Sequence, residues 1–176
     1  MKIQIIGYGG SGKSTLAQEL GALYGVPVLH LDNTKFYGDW QEYSFEEQNA
    51  VVERFLEEHD SWIIDGNYSS IAPRRFAESD MTVFLDLNRI FCFFSAWRRY
   101  LKYRGRARES CPCTEKFDRA FRRWLLVGGR TRAKAEKLRR LLTKTAGERV
   151  VLKNRRQVRA FLEKQKAAVA AGGKQK

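Results

Sequence analysis

Eight consecutive residues near the start of the chain have the types and spacing of a phosphate-binding loop. Residues 7–14, GYGGSGKS, fit the Walker A pattern G-x-x-x-x-G-K-[ST]. Glycines let the backbone turn with its N–H groups pointing inward, and the start of the next helix adds partial positive charge. We therefore expect ATP to bind here, with the lysine reaching its β- and γ-phosphates and the serine hydroxyl ligating Mg²⁺. The predicted binding residues are Gly7, Gly9, Gly10, Ser11, Gly12, Lys13, Ser14 and Thr15.

The segments on either side of this loop decide what the match means. Residues 2–6 are apolar and β-branched, which is typical of a buried central strand. Residues 14–23 carry Leu16, Leu20 and Leu23 at helical spacing. A glycine-rich turn with a chance lysine is the alternative, but strand, loop and helix follow in the order that phosphate binding requires.

Two further predicted strands, at 28–32 and 61–65, each end in an aspartate, and ligands of open α/β sheets bind beyond such strand ends. Asp65 is the predicted Mg²⁺ ligand. Asp32 is predicted to orient the acceptor, as a base on its hydroxyl or as a ligand to a Mg²⁺-bound water. The alternatives are a plain strand-end turn for Asp65 and a helix cap or turn for Asp32. Asp86 is the second choice for the metal, because its context resembles a strand exit that caps the next helix.

A basic segment at about 103–115 is predicted to form a lid over the phosphates. Its arginines flank Gly105, and phosphoryl transfer develops negative charge that mobile arginines can neutralise. An ordinary basic loop is the alternative. Zinc at Cys111 and Cys113 is disfavoured, because two cysteines without a nearby histidine cannot supply four ligands. The predicted catalytic arginines are Arg99, Arg104 and Arg108.

Other residues could shape an acceptor pocket. The loop at 33–43 is rich in aromatic residues, which either line a pocket or cover the edge of the core. Arg74 and Arg75 could face an acceptor phosphate or lie on the solvated face of a short helix. His30 is interpreted as structural, because no metal-ligand spacing accompanies it.

Length and composition fit one globular domain. The 176 residues include 43% hydrophobic and 30% charged residues, and we expect a domain at 1–168 with a disordered tail at 169–176. Three cysteines and no recognisable signal peptide favour the cytoplasm. The most apolar stretch, 81–97, is interrupted by Asp86 and Arg89, so no membrane partner is expected.

Charge is distributed unevenly along the chain. Residues 1–88 hold 6 Lys and Arg against 14 Asp and Glu, whereas residues 89–176 hold 27 against 6. Such asymmetry indicates a polyanionic partner or a half that grips phosphate, with solvated helix faces as the alternative. The basic helix predicted at 132–142 is placed outside the site, and nucleic acid is its candidate partner.

Predicted strands and helices alternate along the chain, which predicts an α/β fold with a doubly wound parallel sheet, the P-loop NTPase architecture. The remaining predicted strands span 81–87 and 148–153, and the remaining helices span 44–59, 90–103, 114–126 and 155–168.

Four stretches together resemble the bacterial topology-modulation proteins, an adenylate-kinase-related P-loop kinase family also called FlaR-like. They are residues 7–14, residues 30–32 (HLD), residues 62–68 (WIIDGNY) and residues 101–108 (LKYRGRAR). The resemblance implies a five-stranded, nucleoside-monophosphate-kinase-like core, Mg²⁺ and ATP, and an arginine-rich lid. One departure concerns the acceptor: those kinases follow Asp-Gly with an aromatic residue, proline and arginine, whereas this chain continues with Asn67-Tyr68-Ser69.

The sequence therefore favours a kinase that transfers the γ-phosphoryl of ATP to a small acceptor, with a nucleoside monophosphate as one candidate. The alternative is a nucleotide-dependent regulator that binds DNA through the basic half, although no helix-turn-helix, zinc-finger or RNA-recognition signature supports it. A GTPase-type switch ranks third, because the guanine-reading Asn-Lys-x-Asp is not recognisable in the sequence.

Overall fold

The computed structural model describes residues 1–37 and 40–172. In them a five-stranded, all-parallel sheet has the strand order β2-β3-β1-β4-β5. The phosphate-loop strand is therefore central, and the predicted P-loop architecture is confirmed. The strands are β1 (Lys2–Gly7), β2 (Val28–His30), β3 (Trp62–Asp65), β4 (Met81–Leu85) and β5 (Glu148–Leu152).

Helices connect the strands and lie on both faces of the sheet. A short 3₁₀ helix, Gly128–Arg130, separates the sixth and seventh helices, where the sequence has two consecutive glycines. The helices are α1 (Lys13–Tyr24), α2 (Leu31–Lys35), α3 (Phe45–Glu58), α4 (Arg74–Glu78), α5 (Arg89–Tyr103), α6 (Arg119–Leu126), α7 (Arg132–Thr143) and α8 (Arg155–Gly172).

Local sequence signals account for several helix ends. Ser44 and Glu47 form a capping box at the start of α3, where each side chain bonds the backbone N–H of the other residue. At the end of α1, Gly25 adopts a left-handed φ of 64° and its N–H bonds the carbonyl of Gly21. These contacts satisfy backbone groups that a helix leaves unpaired at its ends.

Different helices pack against the two faces of the sheet. Ile3 and Ile5 of β1 belong to a cluster with Leu16 and Leu20 of α1 and with Phe161 of α8. On the opposite face, Ile6 belongs to a cluster with Phe84 and with side chains of α4 and α7. Because successive strand residues point to opposite faces, β1 contributes apolar side chains to both sides of the sheet and lies at the centre of the core.

Arg75 has neither of the two environments expected from the sequence, whereas Arg74 lies on the partly solvated face of the short helix α4. Arg75 is fully buried and donates from Nε to the side chain of Gln4 (2.9 Å) and from Nη2 to the carbonyl of Tyr68 (2.7 Å). Burial lowers its pKa to about 10. Arg74 forms ion pairs with Glu53 and Glu78. Both arginines are therefore occupied by contacts within the protein.

Several element boundaries differ from those expected. Strand β2 ends at His30, so Asp32 lies in α2 and not at a strand end. Helix α6 begins at Arg119 instead of Thr114, because Asp118 caps it by accepting from the N–H of Phe121 (2.8 Å). Helix α8 continues to Gly172, past the end predicted at 168, and residues 173–176 of the predicted tail lie outside the described residues.

Within the described ranges, no helix combines the length and the apolar character that crossing a membrane would require.

Candidate active site

A cleft of about 600 Å³ opens beside the phosphate loop, where β1 and β3 end. It brings together most of the residues that the sequence singled out. Of the predicted nucleotide-binding, metal and catalytic residues, Gly7, Ser11 and Arg104 do not line it, and neither does the rival acid Asp86. The predicted residues that line it are Gly9, Gly10, Gly12, Lys13, Ser14, Thr15, Asp32, Asp65, Arg99 and Arg108.

The phosphate loop is held by bonds within itself. The N–H of Ser11 and the Nζ of Lys13 both donate to the carbonyl of Tyr8, over 3.2 and 3.3 Å. Gly12 has a left-handed φ of 91° immediately before α1 and makes no side-chain cap. No side chain therefore caps the first N–H groups of α1, and an anion bound at the helix start can accept from them.

Two glycines of the loop are required because other helices pack directly on it. A Cβ added at Gly10 would lie 2.3 Å from the carbonyl oxygen of Cys92 in α5, and one at Gly9 would lie 2.4 Å from the ring of Trp124 in α6. Gly10 also has a φ of 72°, which disfavours other residues. The loop is thus packed between α5 and α6, a feature that the Walker A pattern does not predict.

Asn67 fixes where the loop begins. Its Oδ1 accepts from the N–H of Gly7 (3.0 Å), and its Nδ2 donates to the carbonyl of the same residue (2.7 Å). This two-point contact lies two residues beyond the last β1–β3 pair, Ile5 and Asp65. In the sequence, Asn67 stands out only as a departure from the kinase pattern, and its position directly after Asp-Gly is the one signal of this role.

Asp65 is positioned from two directions. It ends β3, opposite Ile5 in the parallel pairing, which places it beside the phosphate-loop strand as predicted. Its Oδ2 lies 2.7 Å from Nδ1 of His30, and both side chains are buried. His30, interpreted as structural, therefore orients the predicted metal ligand. Asp86 follows β4, and the residue that caps α5 is Asn88, whose side chain accepts from the N–H of Ile90.

Asp32 and Tyr68 form the opposite part of the cleft. Tyr68 donates its phenolic hydrogen to Oδ1 of Asp32 over 2.7 Å. Burial, followed by the charge of Asp32, raises the pKa of Tyr68 well above its ordinary value, so the phenol stays protonated as a donor. Phe36 and Trp40 line the same wall, with ring centroids 5.2 Å apart and planes at 68°. This wall combines one carboxylate with three aromatic rings.

Two of the three predicted lid arginines converge on one buried carboxylate. Arg99 of α5 lies with its Nε 3.0 Å from Oε1 of Glu115, and Nε of Arg108 makes a shorter ion pair with the same oxygen. Neither Nε reaches hydrogen-bond geometry there, so the contacts are ionic. Burial, together with the charge of Arg108, lowers the pKa of Arg99. Arg104 is exposed, and its backbone bridges to Glu115.

The basic helix α7 is part of the cleft, so its predicted position outside the site is wrong. Lys134 and Lys137 line the cleft, and Nζ of Lys134 lies 5.5 Å from the centroid of the Trp124 ring. The cause is packing: Leu138 and Leu141 of α7 belong to the cluster on the Ile6 face of the sheet. This contact brings the first turns of the helix beside the phosphate loop.

The groups at the loop fit Mg²⁺ and ATP. Magnesium in phosphate sites takes few protein oxygens and completes its shell with water and phosphate, which suits a site with Ser14 and Asp65. The buried hydroxyl of Ser11 has no hydrogen-bond partner among the described residues. Lys13, Arg99 and Arg108 supply the positive charge that a triphosphate requires.

Solved structures share this fold at low sequence identity. Shikimate kinase from Bacteroides thetaiotaomicron is 17% identical, with a TM-score of 0.53 over 97% of this chain and 98% of that one. Deoxyadenosine kinase from M. mycoides with bound dATP is 14% identical, with a TM-score of 0.52 over 98% of each chain. An uncharacterized protein from Eubacterium ventriosum is 12% identical, with a TM-score of 0.50 over 97% and 98%.

No family model and no curated protein sequence matches the chain. Membership of the topology-modulation family therefore stays a prediction from the residues quoted for it. The structural likeness concerns the fold, and this chain has the fold of the P-loop kinases.

Proposed function

We propose that this protein is a cytoplasmic kinase that transfers the γ-phosphoryl group of ATP to a small acceptor. One observation carries the proposal: a single cleft is lined by Lys13 and Ser14 of the phosphate loop, by Asp32 and Asp65, and by Arg99 of α5. Phosphoryl transfer needs cations at the phosphates, an acid at the metal and a group that receives the acceptor proton, and these residues supply each of them.

Each side chain has a role that follows from its place. The N–H groups at the start of α1 and Lys13 bind the β- and γ-phosphates. Ser14 and Asp65 would hold Mg²⁺, which would neutralise charge on the phosphates. Arg99 and Arg108 approach the cleft from α5 and from the lid, where they stabilise the charge that develops on the transferring group. Arg104, the third predicted catalytic arginine, is exposed and does not line the cleft, so a catalytic role for it stays a prediction.

A test of the proposal compares Lys13→Ala with the wild-type protein. We expect tight binding of Mg-ATP by the wild type, weaker binding by the variant, and a loss of ADP release in an acceptor screen. Lys164→Ala is the matched control, because Lys164 is exposed on α8 and distant from the loop in the sequence. A folded Lys13→Ala protein that binds and hydrolyses ATP like the control would contradict the proposal.

A second candidate, a nucleotide-dependent nucleic-acid binder, is favoured by the excess of 27 basic over 6 acidic residues in the second half. Arg119, Arg122 and Arg123 of α6 are exposed and could contact phosphates. DNA affinity that falls steeply with salt, in a protein with no phosphoryl transfer, would favour this candidate. Lys134 and Lys137 no longer discriminate between the two functions, because they line the kinase cleft.

A further inference from the structure

The cleft wall formed by α2, the loop after it and Tyr68 is acidic and aromatic. Asp32, Phe36, Trp40 and Tyr68 line it, and Trp40 donates from Nε1 to the carbonyl of Thr114 in the lid (3.1 Å). Aromatic faces bind flat rings, and a carboxylate accepts a hydrogen bond from a hydroxyl group. The wall thus presents complementary groups to a ring-bearing alcohol.

The arginines near the acceptor wall are already engaged, whereas Lys35, which pairs with Glu42 (3.0 Å), and Lys116 lie over aromatic rings of the wall. Arg75 is buried among Gln4 and backbone carbonyls, and Arg74 is paired with two glutamates. Arg99 and Arg108 share Glu115, which offsets part of their charge. A phosphomonoester placed against this wall would bring its charge beside the carboxylate of Asp32, and like charges repel more strongly where water is excluded.

We propose that the acceptor is an uncharged alcohol carrying a flat ring, of the nucleoside class, and not a phosphomonoester. The inference rests on the proposed kinase function and names the substrate class of its second subsite. It departs from the nucleoside monophosphate that the sequence suggested, because the two arginines available for a phosphate are occupied elsewhere.

The phosphoryl transfer needs only ATP, the acceptor hydroxyl and the carboxylate of Asp32. The acceptor hydroxyl oxygen forms a bond to the γ-phosphorus of ATP, and the bond from that phosphorus to the β–γ bridging oxygen breaks. ADP leaves with that electron pair, and the hydroxyl proton passes to the carboxylate of Asp32, which Tyr68 holds in place. The products are a phosphate ester, ADP and a proton.

Calorimetry with a non-hydrolysable ATP analogue bound measures the acceptor preference without turnover. Adenosine, guanosine, cytidine, uridine and thymidine are compared with their 5′-monophosphates. We expect at least one nucleoside to bind roughly tenfold or more tightly than its monophosphate. Asp32→Asn should narrow that ratio by improving monophosphate binding, and should lower phosphoryl transfer to the nucleoside roughly 100-fold. Asp60→Asn, an exposed aspartate in a turn, is the control.

The outcomes separate this inference from the proposed function. Preferential binding and phosphorylation of monophosphates would overturn the inference while leaving the kinase assignment intact. Failure of every nucleoside to bind, or an unchanged ratio in Asp32→Asn, would also overturn it. The kinase assignment itself depends on the Lys13→Ala comparison, which uses no acceptor for its binding measurement.

The outer face of α5 carries an exposed apolar stripe. Ile90, Phe94, Trp97 and Leu101 are 54, 51, 42 and 53% exposed. Their spacing of four, three and four residues places them on the side of the helix opposite the buried Ala96. Four half-exposed side chains of this size present on the order of 400 Å² of apolar surface, as much as the largest patches of typical monomers.

The spacing of this stripe is the same in both directions along the helix. An antiparallel, two-fold pairing of α5 with α5 of a second copy therefore sets Ile90 against Leu101 and Phe94 against Trp97. We infer that the α5 stripe is the contact of a homodimer. The stripe supplies about half of the roughly 800 Å² per partner of a standard interface, so the dimer is weak and forms at micromolar concentrations or above.

Charge at the edge of the stripe gives this dimer a distinctive salt dependence. Arg98 and Lys102 are exposed beside the stripe, and α5 contains no acidic residue. Two copies bring like charges near each other, so added salt strengthens a homodimer by screening their repulsion. Binding of an acidic protein or of nucleic acid to the same face would weaken with salt instead.

Sedimentation velocity over a concentration series at low and high salt tests the dimer. We expect a reversible dimer that tightens with salt, and Phe94→Glu should raise its dissociation constant roughly tenfold or more. Val51→Glu on α3 is the matched control, because Val51 is 48% exposed but lies outside the stripe. A wild-type protein that stays monomeric, a dimer that salt dissociates, or an equal loss in Val51→Glu would each refute the inference.

Discussion

Replacing Glu115 by glutamine removes the one charge that Arg99 and Arg108 share. The side chain of Glu115 is 4% exposed, while those of the two arginines are 29% and 13% exposed. Glutamine keeps the shape of the carboxylate, so the change isolates its charge. Both arginines would then lie close together without their counter-charge.

The expected cost follows from this burial. Breaking a fully buried ion pair by removing one partner costs about 3–5 kcal/mol. Because the two arginines stay partly exposed to solvent, we expect Glu115→Gln to lower the free energy of unfolding by about 2–3 kcal/mol, at or below the lower end of that range. For a chain of this length such a loss lowers the melting temperature by about 5–10 °C. Urea and thermal unfolding followed by circular dichroism would measure both quantities.

The lid offers a matched control. Glu109 is exposed and accepts from Nε2 of Gln18 (2.9 Å), so Glu109→Gln should change the unfolding free energy by less than about 0.5 kcal/mol. If the two glutamine variants unfold alike, the argument that Glu115 neutralises the arginines fails. Adding Mg-ATP should reduce the difference in unfolding free energy between Glu115→Gln and Glu109→Gln, because a bound triphosphate offers the arginines another counter-charge. An unchanged difference would mean that the arginines do not meet the phosphates.

Three further predictions concern the loop, the metal ligand and the lid thiol. Asp65→Asn should lower phosphoryl transfer at least tenfold more than Asp86→Asn, because Asp65 lines the cleft and Asp86 does not. Steady-state ADP release measures both variants, and a larger loss in Asp86→Asn would mean that Asp86 holds the metal. Gly9→Val should weaken binding of a fluorescent ATP analogue and lower stability by displacing Trp124, and an unchanged melting temperature would contradict the packing seen here. Burial raises the pKa of Cys111 to about 11, so at pH 8 its thiolate fraction is about 100-fold below that of an ordinary cysteine; labelling with a disulfide reagent should be correspondingly slow, and rapid labelling of the native protein would refute the burial of this thiol.

Contiguous residues were sufficient to predict the phosphate loop and its flanking elements. The Walker A residues, the apolar strand before them and the helix after them are neighbours in the chain, so their types alone specify the local geometry. The capping box of α3 was predictable for the same reason, because Ser44 and Glu47 are three residues apart. The alternation of strands and helices also predicted a parallel sheet, and the pairing of β3 with β1 places Asp65 beside the loop.

Contacts between distant residues lay beyond the reach of sequence patterns. The burial of Arg75 could not be predicted from its residue type, because its hydrogen-bond partner Gln4 lies 71 positions away in the chain and on another element. The convergence of Arg99 and Arg108 on Glu115 depends on how the segment predicted as a lid packs against α5.

Helix packing accounts for the remaining differences at the site. Trp124 meets Gly9, and Lys134 enters the cleft, only because α6 and α7 lie against the phosphate loop and one face of the sheet. An amphipathic pattern predicts which side of a helix is buried, but it does not state which partner covers that side. The phosphate-loop pattern was thus encoded locally, whereas the packing of α5, α6 and α7 determined which cations and aromatic rings surround the loop.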